Sequence, residues 1–156
     1  MKRRDFFKTL TSAVAVGAAL PVMSFAAETK KHAGPNAFSY EQALEAITGG
    51  KEPKKSSRAH LKVPEIAENG AVVPVTIEVD SPMTADDYVK AIHIFATKNN
   101  NVRCIDAHLT PANGKAMLAT RIKLGGTQEV AALVELSNGE FLVAAQSVKV
   151  TIGGCG

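Results

Sequence analysis

The residues with the clearest capacity for chemistry stand in Gly153-Gly154-Cys155-Gly156. Three glycines remove every neighbouring side chain from the thiol of Cys155 and leave the backbone around it free in φ and ψ. A terminus is mobile unless it is tied down. The pattern therefore predicts a thiol on a thin flexible arm, able to enter narrow clefts on other proteins and to hold a covalent group on its sulfur. An exposed cysteine is otherwise avoided, because it oxidises and cross-links. Two plainer readings stand beside this one: a disulfide between Cys155 and Cys104, or an incidental terminal cysteine.

A second group is Cys104, Asp106 and His108. At i, i+2 and i+4 of a strand they are expected to share one face, and all three are competent metal ligands. Spread over about 13 Å of extended chain, they are too far apart for a compact metal site without other strands. A polar outer face or a subunit interface is the preferred reading. His93 lies in the most apolar stretch and is expected to be a satisfied core or interface histidine. His32 and His60 fall in loop or edge contexts. No nucleophile elbow, P-loop or clustered pair of CxxC motifs is present, and no cofactor or metal is expected.

The elements that must position the thiol are mostly strands. Ser39, with Gln42 three residues on, predicts a capped start to a short helix with Ala43, Leu44, Ala46 and Ile47 on its apolar face, closed by Gly49-Gly50. Lys51 to Arg58 reads as a charged link, with Lys54-Lys55 in a solvated loop. From His60 the period changes to two. Leu61 and Val63 begin an edge strand that Pro64 interrupts. Val73 to Val79 alternates, and Val89 to Ala96 is almost continuously apolar, as in a strand buried on both faces. Ile105 to Leu109, Leu118 to Leu124 and Val130 to Leu136 follow. Ser137-Asn138-Gly139-Glu140 then predicts a hairpin, and the last strand runs from Phe141 to Ile152. About seven short strands with turns between them predict an all-β, immunoglobulin-like sandwich.

Composition sets the surroundings. Of 156 residues 46% are apolar but only 5% aromatic, with no Trp, so the core must be built from Val, Ile, Leu and Ala. The formal charge of +3 belongs to the first 26 residues, where Lys2, Arg3, Arg4 and Lys8 face Asp5. Removing those four bases and one acid from the chain's 18 and 15 leaves 14 of each. A neutral remainder gives no electrostatic case for nucleic-acid binding. The leader has paired arginines followed by Phe6-Phe7-Lys8, an apolar run from Leu10 to Val22 too short to span a membrane, and the small-residue site Ser24-Phe25-Ala26. This predicts a twin-arginine export signal cleaved after Ala26, in preference to the plainer reading of an ordinary Sec signal that happens to carry paired arginines. A periplasmic protein exported already folded, with no membrane attachment after cleavage, is then expected. The expected organisation is a signal peptide over 1–26, an N-terminal segment with helix and linker over 27–58, a sandwich over 59–152 and the arm over 153–156.

At the tail the chain resembles the SoxY sulfur carriers of the bacterial Sox thiosulfate-oxidising system. The resemblance extends through Val72-Val73-Pro74-Val75, Ser81-Pro82-Met83-Thr84, Tyr88 to Phe95, Leu109-Thr110-Pro111 and Ala119-Thr120-Arg121-Ile122. It implies a periplasmic immunoglobulin-like protein that pairs with a SoxZ-type subunit as a heterodimer. It also implies that Cys155 is loaded with thiosulfate-derived sulfur by one enzyme and processed by others, of the SoxXA, SoxB and SoxCD types. The carrier itself is then a substrate-bearing subunit, not an enzyme. Two features depart from the family pattern: one glycine follows Cys155 where the family has two, and Cys104 is not expected. The strand Val89 to Ala96 and the polar face of Asp106 and His108 are the candidate partner contacts. Rival functions are a thiol–disulfide enzyme, which would want CxxC and a thioredoxin-like βαβ order, and a structural immunoglobulin-like binding module with an incidental cysteine.

Overall fold

A computed structural model describes residues 37–153. The expected signal peptide lies outside the described residues, as do Gly154, Cys155 and Gly156.

The chain opens with helix α1 (Tyr40–Thr48). Its start is the predicted capping box: the Gln42 amide donates to Ser39 Oγ at 3.3 Å, and the Ser39 amide donates to Gln42 Oε1 at 2.9 Å. Two orphan donors of the first turn are thereby satisfied. Gly49 ends the helix at φ 63°, a left-handed conformation that glycine adopts without penalty. Nine strands follow: β1 (Lys54–Lys55), β2 (Ala59–Lys62), β3 (Ile66–Asn69), β4 (Val73–Val79), β5 (Val89–Ala96), β6 (Arg103–His108), β7 (Ala116–Ile122), β8 (Gln128–Leu136) and β9 (Phe141–Ile152). No helix among the described residues is long and apolar enough to cross a membrane.

The strands form the expected immunoglobulin-like sandwich. One sheet has the order β1-β9-β8-β5-β6, with β3 also pairing β9; the other has the order β2-β4-β7. Between them lies the main core, where Ile77, Ile92, Ile94, Leu124, Val130, Val134 and Val148 are fully buried. Aliphatic residues fill it, as the scarcity of aromatics requires. The outer face of the larger sheet carries a second core. Phe95, Val102, Ala131, Leu133 and Phe141 pack under Ala43, Leu44 and Ile47 of α1. Tyr40 meets Phe95 edge-on at 5.5 Å. The arrangement is therefore three layers, small sheet on large sheet on helix, which is why β5 is apolar on both faces.

Two expectations change. The sequence predicts about seven strands, and the two additional ones, β1 and β3, are short and both run parallel to β9. Neither has enough alternation to declare itself; the long edge of β9 holds them. Lys54-Lys55 is consequently a short strand and not a loop, though both residues are solvent-exposed as expected, and Lys54 Nζ reaches Glu140 at 2.6 Å. Pro74 lies in the middle strand of the small sheet, where proline would remove a ladder donor. The pairing of β2 with β4 covers only Thr76 to Val79, so β4 is an edge at Pro74. At the predicted hairpin only Gly139 has positive φ, at 79°; Asn138 instead accepts from the Glu140 amide through Oδ1 at 2.9 Å.

Candidate functional site

The twelve residues of β9 end at Ile152, immediately before the glycine-cysteine tail. β8 pairs with β9 from Phe141 to Val148, and β3 takes its other edge from Lys149 to Ile152. The Gly70 amide donates to the Ile152 carbonyl at 2.7 Å, and the Val150 amide to Thr127 Oγ1 at 3.0 Å. The strand is thus tied to its last residue. Gly153 still lies against the body: a methyl placed on it would stand 2.5 Å from the Gly125 carbonyl oxygen. Glycine is required there for close approach, a role the sequence reading did not assign to it. Cys155, two residues further on, falls outside the described residues together with Gly154 and Gly156.

The turn that receives Gly153 is itself fixed. The Leu124 amide donates to the Gly70 carbonyl at 2.7 Å and the Gly125 amide to Asn99 Oδ1 at 3.0 Å. Asn99 Nδ2 donates in turn to the Lys123 carbonyl at 2.8 Å. Gln128, buried between the loops, donates to Asn99 Oδ1 and accepts from the Lys98 amide, both at 2.8 Å. Beside this network a cleft of about 250 Å³ opens between β6 and β7. It is lined by Asn99, Asn101, Cys104, Ile105, Arg121, Ile122 and Lys123. A larger groove of about 710 Å³ lies between the crossing segment Lys55–Lys62 and Val143–Ala145 of β9.

The structure separates Cys104 from Asp106 and His108. Pairing between β5 and β6 shifts register so that Ile94 faces Ile105 but Phe95 faces Arg103. Cys104 is the extra residue of this bulge, and a bulge breaks the strict alternation of faces. Cys104 therefore packs with Ile105 against the main core, whereas Asp106 and His108 stay on the opposite face and are exposed. Burial pushes the Cys104 thiol above its ordinary range, with a smaller opposing effect from hydrogen bonding at the Ala96 backbone. Such a thiol is a poor nucleophile at neutral pH.

His93 is 5% exposed, and its Nδ1 lies 2.6 Å from Asp106 Oδ1. Arg103 donates to the other carboxylate oxygen at 2.6 Å. Burial pulls the Asp106 carboxyl upward, but hydrogen bonds and charge from His93 and Arg103 outweigh it and leave the group below its ordinary value. His93 is thus a core histidine satisfied on one nitrogen only. Nε2 has no hydrogen-bond partner among the described residues. The sequence shows each residue of this pair but not the pairing, because register between strands distant in sequence is not written in either one. No group of three or more His, Cys, Asp or Glu side chains among the described residues is placed to hold a metal ion. Strand β5, expected as a partner contact, is flanked by β6 and β8 and is buried at every position except Lys90, so it offers little surface to a partner. Asp106 and His108 remain available.

With this geometry in place, the likenesses to known proteins are informative. Residues 44–155 match the family model of the sulfur oxidation protein SoxY. The solved sulfur carrier protein SoxY from Chlorobium limicola f thiosulfatophilum is 30% identical, with a TM-score of 0.61 over 72% of this chain and 96% of that one. A superoxide reductase (neelaredoxin) from Ignicoccus hospitalis is 16% identical, with a TM-score of 0.51 over 75% of this chain and 97% of that one. The second likeness is one of fold alone. No curated protein matches the chain in sequence.

Proposed function

The chain belongs to the SoxY family of sulfur carriers, and on that premise we propose that it is a periplasmic carrier that holds thiosulfate-derived sulfur covalently on Cys155. The observation that carries this reading is the junction at Ile152. A strand paired with β8 as far as Val148 and with β3 as far as Ile152 gives way directly to Gly153-Gly154-Cys155-Gly156. A carrier needs a thiol free of its own side-chain neighbours on a well-held root, and the glycines around Cys155 in the sequence together with the paired end of β9 support that reading.

In this reading the chain is not an enzyme. Its thiol is joined to the sulfane sulfur of thiosulfate by an oxidising partner, and the anionic adduct is presented to enzymes that hydrolyse or oxidise it. The partners are a SoxZ-type subunit as heterodimer and enzymes of the SoxXA, SoxB and SoxCD types. Gly154 and Gly156 flank the thiol as the arm, and Gly153, expected from the sequence to be part of it, seats its root against Gly125. The Arg3-Arg4 leader sends the folded protein to the periplasm by the twin-arginine route.

The test is an intact mass of protein purified from its native source grown on thiosulfate. Adducts of sulfur, sulfonate or thiosulfonate mass are expected on a peptide containing Cys155 and absent from a Cys155→Ser variant. An unmodified Cys155 under those conditions, or adducts that persist in the variant, would overturn the reading.

A further inference from the structure

The outer face of the large sheet holds a buried nitrogen that the carrier function does not use. Asp106 accepts from Arg103 on one carboxylate oxygen and stands 2.6 Å from His93 Nδ1 on the other. An ionised carboxylate only accepts, so Nδ1 carries the proton of the neutral ring, and Nε2 presents a lone pair. That Nε2 is buried and has no partner among the described residues, an arrangement that native structures seldom leave unused.

The nearest group of matching chemistry is His108. In the register of β5 and β6, His93 faces Asp106 and His108 faces Ala91. The two histidines are therefore diagonal neighbours on one face, a spacing that long side chains can bridge. Their rings are perpendicular, with centroids 6.4 Å apart. His108 is exposed while His93 is buried.

The geometry points to a two-histidine chelate for a divalent ion of the zinc and copper class, bound by His93 Nε2 and the ring of His108. Imidazole donors favour that class over magnesium or calcium. Ligating histidines characteristically give their other ring N–H to a carboxylate, which fixes tautomer and ring orientation, and Asp106 occupies that position, itself held by Arg103. Bond lengths of about 2.0–2.1 Å at a tetrahedral ion would bring the ring centroids to roughly 5 Å. The closure required, about 1 Å from the separation observed, falls to the exposed His108 ring. Since no third described side chain joins them, the remaining coordination positions belong to water or to an added ligand.

The probe is Zn²⁺ alone, titrated calorimetrically into the mature protein carrying Cys104→Ala and Cys155→Ser, so that no thiol competes. One ion per chain is expected. His108→Ala, a surface change that leaves the fold intact, should weaken binding by about 100-fold or abolish it. Asp106→Asn should weaken it by about tenfold, as loss of an outer carboxylate does. His60→Ala should leave it unchanged. Because His93→Asn alters a buried site, NMR of the ring protons supplies a second readout without that variant: zinc should shift His93 and His108 together at the same stoichiometry. Absence of zinc binding at millimolar concentration, undiminished binding in His108→Ala, or shifts confined to other histidines would each overturn the inference.

Discussion

Gly153→Ala tests the root of the arm. The added methyl would lie 2.5 Å from the Gly125 carbonyl oxygen, about 1 Å short of ordinary contact at ~3.5 Å, so either the turn or the tail must move. The turn is held by Leu124 to Gly70 at 2.7 Å and by Gly125 to Asn99 at 3.0 Å, and Leu124 is fully buried. Forcing it aside would resemble overpacking, at about 1–3 kcal/mol. The tail is held at this point chiefly by the bond from the Gly70 amide to Ile152, and Ile152 is 67% exposed. Releasing that bond costs about 1 kcal/mol net. The cheaper movement limits the loss, so global stability should fall by no more than about 1 kcal/mol, or ~4 °C in Tm for a domain of this size. Amide hydrogen exchange separates the two paths. Gly70 should lose about fivefold in protection while Leu124 keeps its own. Gly126→Ala, where a methyl meets nothing within 4 Å, is the silent control. If Leu124 loses protection and Gly70 does not, the assignment of rigid turn and yielding tail is wrong. If neither changes, the close contact at Gly153 does not exist in solution.

Three further outcomes are expected. Phe95→Ala removes the fully buried ring between the large sheet and α1, and should cost about 3–5 kcal/mol by denaturant titration, with a loss below 1 kcal/mol arguing that α1 does not seal that face. Cys104, whose thiol burial raises above its ordinary range, should react with iodoacetamide at pH 8 much more slowly in the folded than in the denatured protein; equal folded and denatured rates for Cys104 would refute its placement against the core. Arg3→Lys with Arg4→Lys should leave precursor in the cytoplasm by cell fractionation, and unchanged delivery of mature protein would exclude the twin-arginine route.

Elements whose signal is local were legible in the sequence. The Ser39–Gln42 box, the stop at Gly49, the doubly buried run Val89–Ala96 and the limits Phe141–Ile152 are each decided by a few neighbouring residues, and the structure has them as read. What depends on distant pairing was not legible. Strands β1 and β3 form only because the edge of β9 is there to receive them. The bulge at Cys104 arises from the fit of β6 to β5, and by turning one side chain inward it dissolves the Cys104, Asp106 and His108 row that alternation predicts. The same register brings Asp106 to His93. Cys155 is singled out by its glycine neighbours and lies outside the described residues, while the constraint on Gly153 comes from Gly125, distant from it in the chain.

That constraint bears on the proposed carrier role of Cys155. Two residues beyond Gly153 extend at most about 7 Å at ~3.3–3.6 Å each, and the cysteine side chain adds only a few ångströms. If Gly153 were free, the pivot would lie further back and the reach would be longer but poorly directed. With Gly153 against Gly125 and β9 paired through Ile152, the proposed pivot lies at the end of the sheet, and the reach beyond it is set by those two residues and the side chain. On the proposed carrier role, an enzyme whose reacting centre lies deeper than that reach would meet the thiol by bringing its rim against the surface at the root, where Gly70, Leu124 and Gly125 are held by hydrogen bonds. The close packing at this end of the sandwich would then limit how deep a partner's site can be, and different enzymes acting on Cys155 would approach one common face.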